Sequence, residues 1–290
     1  QSKYMEAEKV LTEALLIVGS QFGRNHPQTA VIMNNIATVY SSLGRYSDAE
    51  EICLKVLEIR KNIFGEEHPY ITNSYNNLAE IYLAQGKYIE AEKYYDLALS
   101  LRKQLLGENH PDVAFSLNNL STLYAAIKRY EEALSYRIQA SHIHDKLISN
   151  VFAFSSENDR LAFIDKIRGN FDLFLSLIYQ YLPNSQEAIN SAFDFILKRK
   201  GLSATSLTAQ NQAFYNGKYP HLTEKFHQLR QLSNRIIHLT ISASQTQDLD
   251  NYKANLNHLQ NKYDNLQKQV ATQVPEIQQT QQIPNRQAVA

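Results

Sequence analysis

Cysteine, glycine and proline are all scarce in this chain, and each scarcity excludes a class of structure. The 290 residues include one cysteine, Cys53, which has no partner for a disulfide within the chain. A secreted domain held together by disulfides is therefore excluded. Only nine glycines and seven prolines are present, whereas strand-rich folds need many turn residues. We therefore expect an all-α protein.

Excess charge and long apolar segments are also missing. Lysine plus arginine and aspartate plus glutamate both number 29, so the basic footprint of a nucleic-acid-binding protein is absent. The longest apolar segments, such as Leu173–Leu182, are too short and too interrupted to cross a bilayer. No signal peptide opens the chain, which starts at Gln1 in the middle of a pattern. We expect a cytoplasmic piece of a longer protein, with neither nucleic acid nor membrane as its partner.

The sequence does contain a repeat with a period of 42 residues. The segments NNIATVYSSLGRYSDAE, NNLAEIYLAQGKYIEAE and NNLSTLYAAIKRYEEAL, which begin at Asn34, Asn76 and Asn118, align without gaps. A His-Pro pair precedes each segment at the same spacing. A period of this length is typical of a solenoid of helix pairs. We expect a half repeat over 3–25 and full repeats over 26–67, 68–109 and 110–150.

Each repeat carries the residues that begin and end two helices. Proline at the first helical position loses no useful N–H, so each His-Pro pair predicts the start of a first helix with the histidine as its cap. Gly44 predicts the end of that helix, because glycine adopts the left-handed conformation without strain. A second helix is predicted from Tyr46 to near Phe64. Lys128 replaces the glycine in the third repeat, which should cost about 0.5–1 kcal/mol.

These residues resemble the tetratricopeptide repeat, which has Leu or Ile, a small residue, Tyr, Gly, Tyr and Ala at fixed positions. The long period and the connector Leu106–Ala114 resemble the kinesin light chain variety of that repeat. The resemblance implies a right-handed superhelical solenoid over residues 1–150, and the first helices of such an array line a concave groove.

Two adjacent asparagines lie in each first helix, although asparagine is a poor helix former. Asn35, Asn77 and Asn119 lie about 100° round the helix from the packing stripe, so we expect them to form a ladder along the groove. An amide offers a donor and an acceptor, which a peptide backbone also needs. The family resemblance implies that these asparagines contact peptide ligands. The alternative is that the amides brace neighbouring helices, which we expect for the first asparagine of each pair.

The side chains next to this ladder would set specificity. They are nearly uncharged, and the lysines that grip a terminal carboxylate in chaperone-binding members of the family are missing. We therefore expect the partner to be a largely uncharged peptide segment or protein. The predicted peptide-binding residues are Asn35, Asn77, Asn119, Thr38, Glu80, Thr122, Asn73 and Phe115, with Val31 and Ser42 beside them.

No motif for catalysis, a cofactor or a metal appears. The three His-Pro histidines lie one repeat apart, too far to share an ion at a bond length of about 2 Å. Cys53 stands at a core position of its repeat, where a catalytic role is not expected. No glycine-rich phosphate loop, paired-histidine zinc motif or serine elbow occurs. We expect a non-enzymatic chain without a cofactor or metal.

A different helical region follows residue 150. Phe154–Pro183 predicts a long apolar helix with a serine cap, and Ser185–Leu207 predicts a second helix within a linker region over 151–218. The basic residues of the second helix either solvate its surface and complement its C-terminal end or form a phosphate patch. They are Lys198, Arg199 and Lys200.

Residues 219–274 predict an antiparallel helical hairpin. Leu222, Leu229 and Leu232 follow heptad-like spacing, and Tyr252 begins a second seam after an Asp cap. The two seams should bury each other; pairing with a second copy, which would make an oligomer, is the alternative. Residues 275–290 are polar and predict a linker or the truncated start of a further domain.

The order of these elements carries a second resemblance. Repeats of the light chain kind, then SENDRLAF from Ser156, DFILKRKGLSA from Asp194 and a heptad hairpin resemble the region before the CHAT domain, a caspase-like module of bacterial proteins. The resemblance implies that the groove binds a peptide or partner protein and that 151–274 transmits binding to an effector beyond Ala290. The alternative function is a structural scaffold that oligomerises through the hairpin and has no peptide ligand.

Overall fold

The chain is all-α, as its turn-poor sequence predicts. A computed structural model describes residues 2–154, 157–197, 219–242 and 248–274, and no strand occurs within these ranges. The helices of the array are α1 (Ser2–Phe22), α2 (Pro27–Ser42), α3 (Tyr46–Phe64), α4 (Pro69–Ala84), α5 (Tyr88–Leu106), α6 (Pro111–Ala126) and α7 (Tyr130–Phe154). They are followed by α8 (Glu157–Tyr181), α9 (186–197), a short 3₁₀ turn (Pro220–Leu222), α10 (Thr223–Ser242) and α11 (Leu249–Ala271).

The first helix of each pair begins at the proline of a His-Pro pair, as predicted. The histidine caps it, because its Nδ1 accepts a hydrogen bond from the backbone N–H two residues further on. The distances from Nδ1 to that nitrogen are 3.3 Å at His26, 3.2 Å at His68 and 3.1 Å at His110. The three histidines are therefore caps of helices rather than members of one site.

The first helices end at a residue with left-handed backbone. Gly44 and Gly86 have φ angles of 77° and 74°, which glycine adopts without strain. Lys128 has the same role in the third pair with a φ of 63°, as predicted. Its Cβ makes this conformation costly, so the third turn is the strained one of the three.

The chain divides into two compact units. The first comprises Gln1–Glu108 and Thr122–Ile127, and the second comprises Asn109–Ser121 and Lys128–Ala290. Within the first unit each helix from α1 to α5 packs on the next along the chain. Ala49 and Ala91 are fully buried where paired helices approach, and Cys53 is 2% exposed, as its core position predicts.

In the second unit α7 packs against both α8 and α10. Helix α7 continues without a break through residue 150, where the repeat pattern ends, to Phe154. Helix α8 ends at Tyr181, just before Pro183, as predicted. Phe174 of α8 and Phe195 of α9 lie with ring centroids 4.8 Å apart, so these helices also pack together. The serine cap predicted for α8 lies outside the described residues, and so do Lys198, Arg199 and Lys200.

Helices α10 and α11 form the antiparallel hairpin. Their seams meet in one core of Leu222, Phe226, Leu229, Tyr263, Val270 and Val274. Asp248 caps α11, with its Oδ1 accepting from the backbone N–H of Asn251 at 3.0 Å. The two seams bury each other within one chain, whereas the oligomer alternative requires them to pack against a second copy. In this conformation they are therefore not available to a second copy. Residues 275–290 lie outside the described part of the chain.

Candidate functional site

The predicted peptide-binding residues lie on the accessible side of the first helices. In α4 this side is narrow, because most of the helix is buried, including Ile71, Leu78 and Ala79. Three of the residues left at the surface are Asn73, Asn77 and Glu80, and their equivalents 42 residues away in α2 and α6 are all exposed or partly exposed. We call the following set the polar stripe: Val31, Asn35, Thr38 and Ser42 of α2; Asn73, Asn77 and Glu80 of α4; Phe115, Asn119 and Thr122 of α6.

The asparagines of the polar stripe are not equivalent. Asn35 is exposed, and its amide has no hydrogen-bond partner among the described residues. Asn77 is partly buried, and its Nδ2 donates to Oδ1 of Asn34 at 2.7 Å, which braces α4 against α2. Asn119 is partly buried in the second unit. Asn77 therefore has the bracing role that was the alternative to the ladder, while its Oδ1 and its second N–H are not used in this bond. The peptide-binding role of the three amides stays a prediction.

Asn73 is held in one orientation by a buried arginine. Nη2 of Arg102, which is 4% exposed, donates to Oδ1 of Asn73 at 3.1 Å. This bond directs the amide's Oδ1 inward and leaves its NH₂ group for the surface. Asn73 and Asn77 therefore present opposite ends of their amides, a donor at Asn73 and an acceptor at Asn77.

Glu80 is the one charged member of the polar stripe. Its Oε1 accepts from Nδ2 of Asn76 at 2.8 Å. Desolvation by neighbouring side chains raises the pKa of Glu80, while the Asn76 hydrogen bond and the charge of Arg102 act in the opposite direction. One oxygen of this carboxylate is therefore occupied within α4, and the polar stripe carries no other formal charge.

Asn34 and Asn118 brace neighbouring helices, as expected for the first asparagine of a pair. Asn34 accepts from Asn77, and Asn76 donates to Glu80 within its own helix. Asn118 is 6% exposed, and its Oδ1 accepts from Nη1 of Arg137 at 2.9 Å. In each pair the first asparagine is buried or partly buried, and the second is partly buried or exposed.

A second recurring interaction was missed in the sequence. Glu8, Glu50 and Glu92 recur at 42-residue spacing, and each accepts hydrogen bonds from the next repeat. Oε2 of Glu50 accepts from Nε2 of Gln85 at 2.9 Å and from Nζ of Lys87 at 3.0 Å. The partners of Glu8 and Glu92 are Arg45 and Tyr124. The recurring glutamate was the sequence signal that could have predicted these contacts. The contacts join neighbouring repeats.

The described residues contain no group of three or more histidine, cysteine or acidic residues that could hold a metal ion. Burial raises the pKa of the Cys53 thiol to about 12, so this cysteine is a core residue rather than a nucleophile. Within the described part of the chain, no helix has the length and apolarity required to span a bilayer.

Comparisons with known proteins agree with this geometry. A family profile described as tetratricopeptide repeat matches residues 1–62, 32–88 and 70–141. Among solved structures, the chain is similar to BtubC (BKLC) from P. vanneervenii, with 24% identity and a TM-score of 0.54 over 70% of this chain and 75% of that one. It is also similar to a Podospora anserina protein attributed to the kinesin light chains, with nearly identical repeats, at 23% identity and a TM-score of 0.50 over 71% and 89% of the two chains. No curated protein sequence matches significantly.

The helix pairs, their caps and their glycine turns define a solenoid protein of the tetratricopeptide class. Residues 1–141 of this chain are tetratricopeptide repeats, and its structural neighbours are proteins of the kinesin light chain kind. Repeats of this family generally mediate protein–protein interactions, and this fold is typically a non-catalytic module.

Proposed function

We propose that this chain is a cytoplasmic protein-binding module whose polar-stripe residues contact an extended peptide segment. One observation carries the proposal: Asn73, Asn77 and Glu80 are accessible on α4, and the equivalent positions stay accessible in α2 and α6. A side chain that only filled the core would not keep its surface position in every repeat. Recurrent exposure of amides is instead suited to a recurrent ligand, and a peptide backbone is one.

The orientation of the amides on α4 supports an extended backbone as that ligand. Asn73 and Asn77 are four residues apart, so their side chains are neighbours on the helix, about 6 Å apart. In an extended strand, groups on the same side recur every two residues, at about 6.6 Å. The donor at Asn73 therefore suits one backbone carbonyl, and the acceptor at Asn77 suits the N–H two residues along.

The rest of the polar stripe indicates a largely uncharged partner. Phe115 is 48% exposed and offers an apolar contact, whereas Thr38 and Thr122 are exposed small polar residues. Each hydrogen bond to the peptide contributes about 0.5–1.5 kcal/mol net, so a few of them support modest affinity. Selectivity then comes from apolar contacts such as the one at Phe115 rather than from charge.

A peptide selection tests the proposal and reveals the sequence preference of the groove at the same time. A random peptide library displayed on phage is selected on the chain, and the dissociation constants of the selected peptides are measured by fluorescence polarisation. We expect Asn35→Ala and Asn77→Ala each to weaken binding by about five-fold, the equivalent of about 1 kcal/mol. Asn119→Ala should have a similar effect.

Asn257→Ala is the matched control, because Asn257 is an exposed asparagine on α11. It should leave peptide affinity unchanged, and circular dichroism should show equal helicity for all variants. Selected peptides that bind every polar-stripe variant as tightly as the wild type would exclude this surface as the binding site. A selection that yields no peptide above background would exclude peptide capture altogether.

We also propose that binding is transmitted to a C-terminal effector, for which the resemblance described above supplies the CHAT domain as candidate. The second unit offers a route, because α7 packs on α10 and Nε2 of His110, at the start of α6, lies 3.2 Å from the backbone oxygen of Thr240 in α10. Hydrogen exchange of α10 measured with and without a selected peptide tests this route. Slower exchange on binding is expected, and unchanged exchange would contradict transmission through the hairpin.

A further inference from the structure

A cavity of about 700 Å³ lies in the first unit between α1, α2 and α3. Its walls include the apolar side chains of Leu15, Met33 and Ile59, and its rim carries Arg24 and Glu58. The volume lies within the range of about 300–1,000 Å³ that is typical of ligand pockets. Apolar walls with a few polar groups at the rim are suited to an amphipathic ligand.

Two positions that line the cavity carry smaller side chains than the equivalent positions of the second repeat. Gly19 stands where the next two repeats have Lys61 and Lys103, and Met33 stands where the second repeat has Tyr75. A Cβ added to Gly19 would meet no atom within 4 Å, so this wall of the cavity is open. At these two positions the first repeat therefore lacks the lysine and tyrosine side chains that the second repeat has.

The second repeat shows what the equivalent space holds. There the ring of Tyr75 lies 5.8 Å from the ring of Tyr94, centroid to centroid. The Nζ of Lys61 lies 5.9 Å from the centroid of the Tyr75 ring. The second repeat thus has room at this position for a tyrosine ring, with its apolar faces and its polar hydroxyl, whereas the third repeat has Leu117 there.

The cavity is separate from the polar stripe. Met33 precedes Asn35 by two residues, which places the two side chains about 200° apart around α2. A ligand in the cavity and a peptide on the polar stripe would therefore contact opposite sides of this helix.

We propose that this cavity is a second docking site, which takes a tyrosine side chain from a partner polypeptide. The ring would pack against Leu15, Met33 and Ile59, in the space that Tyr75 occupies in the second repeat. Its hydroxyl would lie at the rim beside Arg24 and Glu58. The partner would thereby complete the first repeat with the side chain that this repeat lacks.

Methionine methyl resonances offer a direct test with small probes. The chain has two methionines, Met33 in the cavity wall and Met5, which is 64% exposed elsewhere on α1. The full chain, labelled with ¹³C at the methionine methyl groups, is titrated with p-cresol and then with N-acetyl-tyrosinamide. We expect both probes to shift the Met33 resonance in a saturable way, with a dissociation constant in the millimolar range, and to leave Met5 unmoved. The non-aromatic alcohol cyclohexanol should bind more weakly.

Gly19→Lys restores the residue of the later repeats and should weaken the binding of both probes by about ten-fold or more. Gly19→Ala is the matched control, since its methyl group meets no neighbour and should leave binding unchanged. Met33→Tyr fills the cavity from the other side and should abolish saturation transfer from the protein to p-cresol. Circular dichroism confirms that each variant is folded.

Several results would overturn the proposal. Equal shifts at Met5 and Met33, or shifts that do not saturate, would mean that the probes bind without a defined site. Full binding to Gly19→Lys would place the probe outside the cavity. Binding of p-cresol without binding of N-acetyl-tyrosinamide would make this a site for a small phenol and not for a partner's side chain. Asn35→Ala should leave both titrations unchanged, so this test is independent of the peptide selection.

Discussion

The hydrogen bond between Asn34 and Asn77 can be tested by a double-mutant cycle. The variants are Asn34→Ala, Asn77→Ala and the double variant, and Asn35→Ala is the control. The bond joins α2 to α4 at 2.7 Å, so its loss weakens the contact between the first two repeats. In a solenoid the free energy of unfolding depends directly on such contacts between neighbours.

Two opposing effects set the magnitude. Loss of a partly buried hydrogen bond between side chains costs about 0.5–1.5 kcal/mol. Alanine is a better helix former than asparagine, which returns about 0.5 kcal/mol. Asn77→Ala should therefore lower the free energy of unfolding by at most about 1 kcal/mol, the difference of these two effects. Asn35→Ala loses no bond and should raise it by about 0.5 kcal/mol.

The assay is urea unfolding followed by circular dichroism at fixed pH and salt. The helix-propensity gain cancels in the cycle, so the coupling energy between the two asparagines should be about 0.5–1.5 kcal/mol. A coupling energy near zero would refute the brace, and both amides of the pair would then have to be regarded as free for a ligand. Equal stabilities of Asn35→Ala and Asn77→Ala would refute the distinction drawn between them.

Single residues carry three more predictions. Burial raises the pKa of Glu50, but hydrogen bonds from Gln85, Lys87 and Tyr82 outweigh it and hold the pKa below its usual 4.5; Glu50→Gln should therefore lower the free energy of unfolding by about 1 kcal/mol at pH 7. That loss of stability should shrink as the pH falls below 4.5 through the folded-state pKa of Glu50, which urea titrations at several pH values measure. Glu51 lies in an exposed ion pair, so Glu51→Gln should cause a smaller loss of stability in the same titrations. Lys128→Gly should raise the free energy of unfolding by about 0.5–1 kcal/mol, whereas Gly86→Ala should lower it by about 1–2 kcal/mol. If both variants changed stability equally in thermal unfolding, the left-handed turn would be contradicted. The Cys53 thiol, with a pKa of about 12, should react with a thiol reagent at pH 8 only after urea is added, so rapid reaction of the native chain would show that it is not buried.

Local sequence signals predicted most of the fold because each acts within a few residues. A proline begins α2, a histidine beside it caps the helix, and a residue with positive φ ends it, and none of these choices depends on distant contacts. The buried seam of the hairpin was likewise readable, since heptad spacing places Leu222 and Leu229 on one face. Helix identity and order therefore followed from the sequence pattern alone.

The state of each polar side chain did not follow, because it depends on which neighbour lies within hydrogen-bond reach. Asn35 and Asn77 occupy the same position in their repeats, yet only Asn77 has an asparagine of a preceding repeat as its acceptor. Asn35 is exposed, and its amide has no such partner among the described residues. The glutamate contacts between repeats were missed for a related reason, since Glu50 gains its role only when Gln85 and Lys87 are brought beside it.

Residues that depart from the repeat pattern are more informative about the second unit than residues that follow it. Arg137 stands where the earlier repeats have Cys53 and Tyr95, and it is only 6% exposed, so burial lowers its pKa to about 10. A buried guanidinium is costly to desolvate, and its bond to Asn118 offsets only part of that cost.

The capping histidines of the second and third repeats also differ, in the hydrogen bonding of their Nε2 atoms. Nε2 of His68 is buried without a hydrogen-bond partner among the described residues, whereas Nε2 of His110 lies 3.2 Å from the backbone oxygen of Thr240. The hairpin thus supplies to the third repeat a contact that the second repeat lacks. A further tetratricopeptide repeat would not present a backbone carbonyl of α10 at this position. The contact with Thr240 therefore distinguishes the third repeat from the second.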